Sequence, residues 1–252
     1  MDPISRPTNS IDETLTGQIE PFDSFWEGPE DIEAGYPRLG RFYEKNYLRH
    51  FPTDRESAIL VISCGPGYFV NMLNQNGYQN VLGIDSMESK ISYARQKGLN
   101  CRVDRAFNHL QAHPRSYDVV VCEQELNHLT KKEMIDFLIC ARHSLRRHGT
   151  LIVHGLNGAN PITGSDAAAQ NFDHYNTLTE ASLQQVLRHT GYEGIEVFGL
   201  NLYVFYRNPA NWIALAVASS LTIVFRALFV LYGKPNKIFT KKIGAVCRPS
   251  SI

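Results

Sequence analysis

Short unbroken hydrophobic runs alternate along this chain with longer stretches in which hydrophobic side chains recur every three or four positions. The runs are AILVIS (58–63), NVLGID (80–85), YDVVVCE (117–123) and TLIVHG (150–155). Between them, YFVNMLNQNG (68–77), SMESKISYARQKG (86–98) and KKEMIDFLICARHSLRRHG (131–149) carry helical spacing. Strands of this length separated by helices predict βαβ units and a mostly parallel sheet. The runs are apolar throughout, as burial between two helical layers requires. NCRVD (100–104) outlines a fainter third strand. Leu178 to Phe198 gives a helix followed by the strand EVFG, and KIGAVCR (242–248) reads as a last strand. Upstream, RLGRFYEKNYLRHF (38–51) reads as an amphipathic helix ended by Pro52, in an aromatic region with Phe25, Trp26, Tyr36, Phe42, Tyr43, Tyr47 and Phe51. Tyr36, Arg38 and Tyr43 are either lid contacts or helix packing. Residues 1 to about 24 read as a loose tail.

With 43% hydrophobic residues in 252, the chain has material for a real core. Twenty-five basic residues balance 25 acidic ones, a poor footprint for a nucleic-acid binder. Cys64, Cys101, Cys122, Cys140 and Cys247 are odd in number, widely spaced and mostly in apolar runs. Buried thiols in a reducing compartment follow, and no CxxC or HExxH spacing suggests zinc. The first residues are polar and acidic without a hydrophobic export segment, so cytoplasmic residence is expected.

The first run ends in Ser63-Cys64-Gly65-Pro66-Gly67, at the strand edge where ligands bind in open α/β sheets. Nearly bare backbone there admits a close approach, and the helix from Tyr68 offers unpaired N–H groups. Asp85 stands 18 residues past Gly67 at the end of the second run. Its carboxylate can take both ribose hydroxyls of an adenosine, or cap the following helix. A nicotinamide site asks for glycine three positions after Gly67, and Val70 stands there.

VISCGPG, GID, YDVVVCEQELNHL, LRRHGTLIV and LTEASLQQVLRHTGYEGIEVF occur in the order found in class I S-adenosylmethionine-dependent methyltransferases, and residues 56 to 205 resemble that family. The resemblance implies an α/β Rossmann-like seven-stranded sheet with helices on both faces, an N-terminal helical cap, and an apolar helical insertion before the last strand. That strand runs antiparallel in the family. The implied division is 1–54 tail and cap, 55–206 core, 207–241 insertion, and 242–252 final strand. The implied cofactor is S-adenosyl-L-methionine, leaving as S-adenosyl-L-homocysteine. Ser63, Gly65, Gly67, Asp85, Ser86, Asp104, Ala106 and Glu123 are its candidate contacts, Asp104 beside the adenine. Phe107 either lines the adenine slot or belongs to the core. The family commonly has an acid at Val61 and glycine at Ser63, so the methionyl end is left to backbone and N-terminal residues.

A hydroxyl acceptor benefits from a base within hydrogen-bond reach. His50, His109, His113, His143, His148 and His189 fall at helix ends or in polar turns, whereas His128, His154 and His174 fall near strand ends. HGLNGANPITGSDAAAQNFDHYNTLT (154–179) is a long polar insertion, and loops of that length usually bind something. Within it, Asp173 can orient His174 as the base, or Phe172 and Tyr175 can staple the loop with His174 exposed. His128 is a second candidate, in direct contact or in support of its loop. The pattern NGANP…NFDHYNTLTEASL resembles a surface-polysaccharide and lipopolysaccharide-modifying branch of the family, which implies a sugar hydroxyl of a glycan or glycolipid as acceptor. The alternatives are a small-molecule O- or C-methyltransferase, or a catalytically silent scaffold. Metal-independent chemistry is expected.

Trp212 to Tyr232 is 21 residues with one charge, Arg226, enough by length to cross a bilayer. The resemblance implies that the strands on either side are neighbours, which argues against a single crossing. A helix broken near Ser219–Ser220 that lies on a membrane, buries in a homodimer, or packs within its own monomer remains.

Overall fold

The computed structural model describes residues 32–123, 126–169, 171, 173–201 and 209–250. The tail, Phe25, Trp26, Phe172 and residues 202–206 of the predicted late strand lie outside the described residues. The elements are α1 (Ile32–Tyr47), β1 (Ile59–Ile62), α2 (Tyr68–Gln75), β2 (Val81–Asp85), α3 (Glu88–Gln96), β3 (Cys101–Val103), α4 (Ala106–Ala112), β4 (Tyr117–Cys122), α5 (Lys131–Ser144), β5 (Leu145–Leu156), α6 (Gly164–Ala169), α7 (Glu180–His189), β6 (Tyr192–Leu200), α8 (Pro209–Leu231) and β7 (Lys242–Pro249). Single 3₁₀ turns follow α1 (Leu48–His50) and β4 (Leu126–His128).

The seven strands form one sheet in the order β3-β2-β1-β4-β5-β7-β6. β7 is antiparallel to both β5 and β6, and the other pairings are parallel. The expected seven-stranded architecture, cap and apolar helix before the last strand are all present. Alternation along β1 divides the core. Leu60 and Ile62 face one cluster with Phe107, Phe137 and Leu183, whereas Ile59 and Val61 face another with Tyr43, Tyr47 and Phe69. Both sheet faces are therefore covered, which accounts for runs with no polar alternation. The order reverses between β1 and β4, and that switch point faces the glycine turn.

Several boundaries differ from expectation. The helix predicted over 131–149 stops at Ser144, because buried Leu145 turns extended and pairs with Tyr117 at the foot of β4. The helix predicted over 38–51 instead covers Ile32–Tyr47, running through Pro37 on its exposed face. The last turn of the predicted range is 3₁₀. The polar insertion is not devoid of structure: it holds α6 and a bridge between Asn157 and Leu178. α8 is continuous through Ser219 and Ser220, whose hydroxyls donate to the Leu215 and Ala216 carbonyls instead of breaking the helix. No residue of α8 is buried, so the helix is not packed wholly within the monomer.

Candidate active site

Three residues of the turn after β1 take left-handed backbone: Ser63 (φ 56°), Gly65 (φ 52°) and Gly67 (φ 82°). A Cβ on Gly67 would stand 2.7 Å from Leu99 Cδ1 and 3.1 Å from Ala94 Cβ, so glycine here lets α2 start against α3 and β3. The Cβ direction of Gly65 is open, the side from which a ligand can approach. At Ser63 a side chain is carried in a conformation that costs about 1–2 kcal/mol for an L-residue.

Asp85 ends β2 directly opposite this turn. Its Oδ2 accepts from Gly65 N–H (3.0 Å) and its Oδ1 from Met87 N–H (3.0 Å), so one buried carboxylate ties the glycine turn to the start of α3. A narrow cleft lies beside it, lined by Ile62, Ser63, Ile84, Asp85, Ser86, Asp104 and Ala106. Six of those seven belong to β1, β2 or the segments directly following β1, β2 and β3, the carboxyl edge of the sheet.

Asp104 lines the cleft but is also committed elsewhere. Its Oδ1 accepts from Arg105 N–H (2.8 Å), and its Oδ2 pairs with His109 Nδ1 (2.7 Å). His109 Nε2 in turn meets the Tyr117 hydroxyl at 2.6 Å. His109 is thus no polar-turn histidine: it is buried, and burial lowers its pKa. Sequence reasoning missed this chain because the partners come from different elements. Phe107 is fully buried in the core against Phe137.

The cap reaches the same edge. The Tyr36 hydroxyl donates to Pro66 O (2.7 Å), and Tyr43 packs on Phe69 at 4.4 Å while donating to Glu123 Oε1. Both tyrosines are buried, whereas Arg38 is exposed. The Glu123 carboxyl is enclosed, and burial pushes its pKa up to about 8. Its Oε2 is buried without a hydrogen-bond partner, an orphaned polar atom at the end of β4. Val61 lies wholly within the apolar cluster beneath.

On the far side of β4, the 3₁₀ turn carries His128, and the loop after α6 brings Asp173 and His174 to it. Asp173 Oδ2 pairs with His128 Nδ1 at 2.9 Å. Asp173 therefore orients His128, not the expected His174. His174 Nδ1 meets the Ala167 carbonyl at 2.7 Å, and its ring stands edge-on to His128 at 4.7 Å. The loop is pinned by Tyr175 N–H to Asn127 O (2.9 Å) and by Asn176 Nδ2 to Leu129 O (2.7 Å). Neither contact is visible from spacing. One ligand atom each from His128, Asp173 and His174 lie within 4.8 Å of one another, a grouping that can also hold a metal ion. His154 lies within β5, buried, with its ring 6.0 Å from Tyr47.

Residues 59–149 match the model of a methyltransferase domain. The matched stretch runs from β1 into β5, over a third of the chain, and is similar to a methyltransferase domain. A ubiquinone biosynthesis O-methyltransferase of Yersinia pestis (strain Pestoides F) is 29% identical over 130 residues, 48% of this chain and 52% of that protein. The chain thus spans about half the length of the curated relatives it matches. A SAM-dependent methyltransferase from Archaeoglobus fulgidus superposes with a TM-score of 0.62 at 16% identity, over 86% of this chain and 97% of the other. A Haemonchus contortus phosphoethanolamine N-methyltransferase, solved with S-adenosyl-L-methionine, gives 0.53 at 12% identity over 92% and 55%. At such identities the likeness is one of fold.

Proposed function

We propose that this methyltransferase moves a methyl group from S-adenosylmethionine to a hydroxyl of a small molecule, with His128 as base and Asp173 as its positioning residue. The carrying observation is the 2.9 Å His128–Asp173 pair at the carboxyl edge of the sheet. In the step, the acceptor oxygen forms a bond to the methyl carbon while the carbon–sulfur bond breaks. Sulfur keeps the electron pair, giving S-adenosylhomocysteine. With Nδ1 held by Asp173, Nε2 is the ring nitrogen that receives the hydroxyl proton. Asp173 fixes the ring's tautomer and favours its cation. Alignment of donor, leaving sulfur and acceptor does the rest of the work.

For the cofactor, Asp85 is assigned to the ribose hydroxyls, and Ser63, Ser86, Asp104 and Ala106 to the adenine side. Gly65 and Gly67 shape the turn that the methionyl end crosses. The orphaned Oε2 of Glu123 fits a cofactor ammonium, which would draw the carboxyl into its charged form. The similarity to a ubiquinone O-methyltransferase favours a small-molecule acceptor over the glycan or glycolipid suggested by NGANP…NFDHYNTLTEASL. A second reading has a divalent ion held by His128, Asp173 and His174, orienting the acceptor oxygen in place of a free base.

The test is turnover on a panel of phenolic and sugar acceptors with labelled methyl donor. His128→Asn should lower kcat by about 10²–10⁴-fold while leaving cofactor affinity unchanged. An unchanged kcat rejects the base. Loss of turnover on chelation, restored by added divalent ion, selects the metal reading.

A further inference from the structure

α8 is apolar over most of its surface, and none of its residues is buried. Trp212, Ile213, Ile223, Val230, Leu231 and Tyr232 are each between 67% and 83% exposed. A 23-residue helix of this composition, about 35 Å long, belongs in a core or in lipid. The chain's own core does not receive it.

Charge identifies what does. Seven of the 25 basic residues lie from Val197 onward and none of the 25 acidic ones. The preceding 196 residues thus carry 18 basic against 25 acidic, so a neutral chain is split into an acidic body and a wholly basic end. Lys234, Lys237, Lys241 and Lys242 follow directly on the helix. An aromatic residue near each end of the helix, Trp212 and Tyr232, suits the headgroup level of a bilayer.

The geometry of the return decides how the helix lies. The Arg226 guanidinium donates to Lys237 O through Nε and Nη2, both at 3.3 Å, and Phe239 packs on Phe225 (5.8 Å) and Phe229 (4.8 Å). The segment after the helix therefore folds back along its last turns. That segment is held to the end of β5 by Asn157 Nδ2 to Ile238 O and Thr240 O, and by Asn160 Nδ2 to Phe239 O. A crossing helix would drag this non-helical backbone into the hydrocarbon, with carbonyls and lysines that lipid cannot satisfy.

We propose that α8 lies in the surface of an anionic phospholipid bilayer, with the basic residues of the return segment on its headgroups, and that this holds the carboxyl edge of the sheet beside the membrane. Asn127 links the two, since its Oδ1 accepts from Leu156 N–H (3.3 Å) in the strand end next to Asn157, and it precedes His128. The inference does not depend on the acceptor or on the base assignment. It gives the protein a membrane contact whose affinity rises with buried apolar area and with anionic lipid.

Flotation of the full chain with vesicles tests it. Phosphatidylcholine vesicles containing roughly a third phosphatidylglycerol should carry the protein up, and pure phosphatidylcholine should carry at least tenfold less. Raising salt from about 0.05 to 0.5 M should release it. Lys234→Glu with Lys237→Glu should cut partition more than tenfold at low salt. Ile223→Glu with Val230→Glu should abolish it. All these side chains are solvent-facing, so retained circular dichroism and S-adenosylmethionine binding establish that the variants fold. Equal binding to both vesicle types overturns the anionic assignment. Resistance to alkaline extraction would overturn the surface orientation in favour of a span. No binding to either, together with a lipid-free dimer that Ile223→Glu dissociates, overturns the membrane and gives the face to a second copy.

Discussion

The two halves of the catalytic edge are built by different means. Beside β1 and β2, the side proposed for the cofactor is made of backbone: three left-handed residues in five, one carboxylate bridging two N–H groups, and a cleft whose walls are consecutive with the strands. Beside β4 and β5, the side proposed for the acceptor is made of side chains that meet across 45 residues of sequence, as His128 and Asp173 do. A site written into a turn tolerates little change but is the same in every chain with that turn. A site assembled from loops can be rebuilt for a new acceptor without disturbing the sheet.

Breaking the backbone side should cost most. Gly67→Ala adds a Cβ at a φ of 82° and within 2.7 Å of Leu99, and should lower unfolding free energy by about 2–4 kcal/mol in a urea titration. Replacement of His174 by Ala, on the loop side, should change stability far less, since the loop keeps its Tyr175 and Asn176 hydrogen bonds.

Glu123 sharpens the contrast, because it sits where the two sides meet. Its carboxyl holds a proton up to about pH 8 when folded, whereas an unfolded chain releases it near 4.5. The folded state therefore holds the extra proton between those values, and stability should fall as pH rises from about 4.5 to 8. Glu123→Gln should flatten that slope and stabilise the cofactor-free protein by about 2–3 kcal/mol at pH 8, read from thermal unfolding across pH. Wild type should also release a proton on binding S-adenosylmethionine at pH 7, measurable by calorimetry in buffers of different ionisation enthalpy. The Gln variant should not.

The smallest effect belongs to Ser63. Ser63→Gly relieves the left-handed strain at the expense of a more mobile unfolded chain, and should raise the urea midpoint by an amount worth about 0.5 kcal/mol.

The contrast also explains what could be read in advance. Apolar runs covered on both faces gave away the sheet, and VISCGPG followed by GID gave away the turn and its carboxylate. The place of glycine at Gly67 was legible because no side chain fits there. His109 was not, since its partners Asp104 and Tyr117 lie on separate elements and no local pattern joins them. The same holds for Asp173, whose neighbour His174 looked like its partner until the fold brought His128 closer. The end of α5 at Ser144 escaped notice because the pull on Leu145 comes from Tyr117, a strand away.

β7 lies between β5 and β6, although it follows both in the chain. During synthesis β6 therefore has no neighbour to zip against until the final strand has emerged and slid into the gap. The apolar α8 is already complete by then, waiting beside an unfinished sheet. A nascent chain halted before Lys242 would present a bare strand edge and a greasy rod at once, so the interval before β7 emerges is the hazardous one.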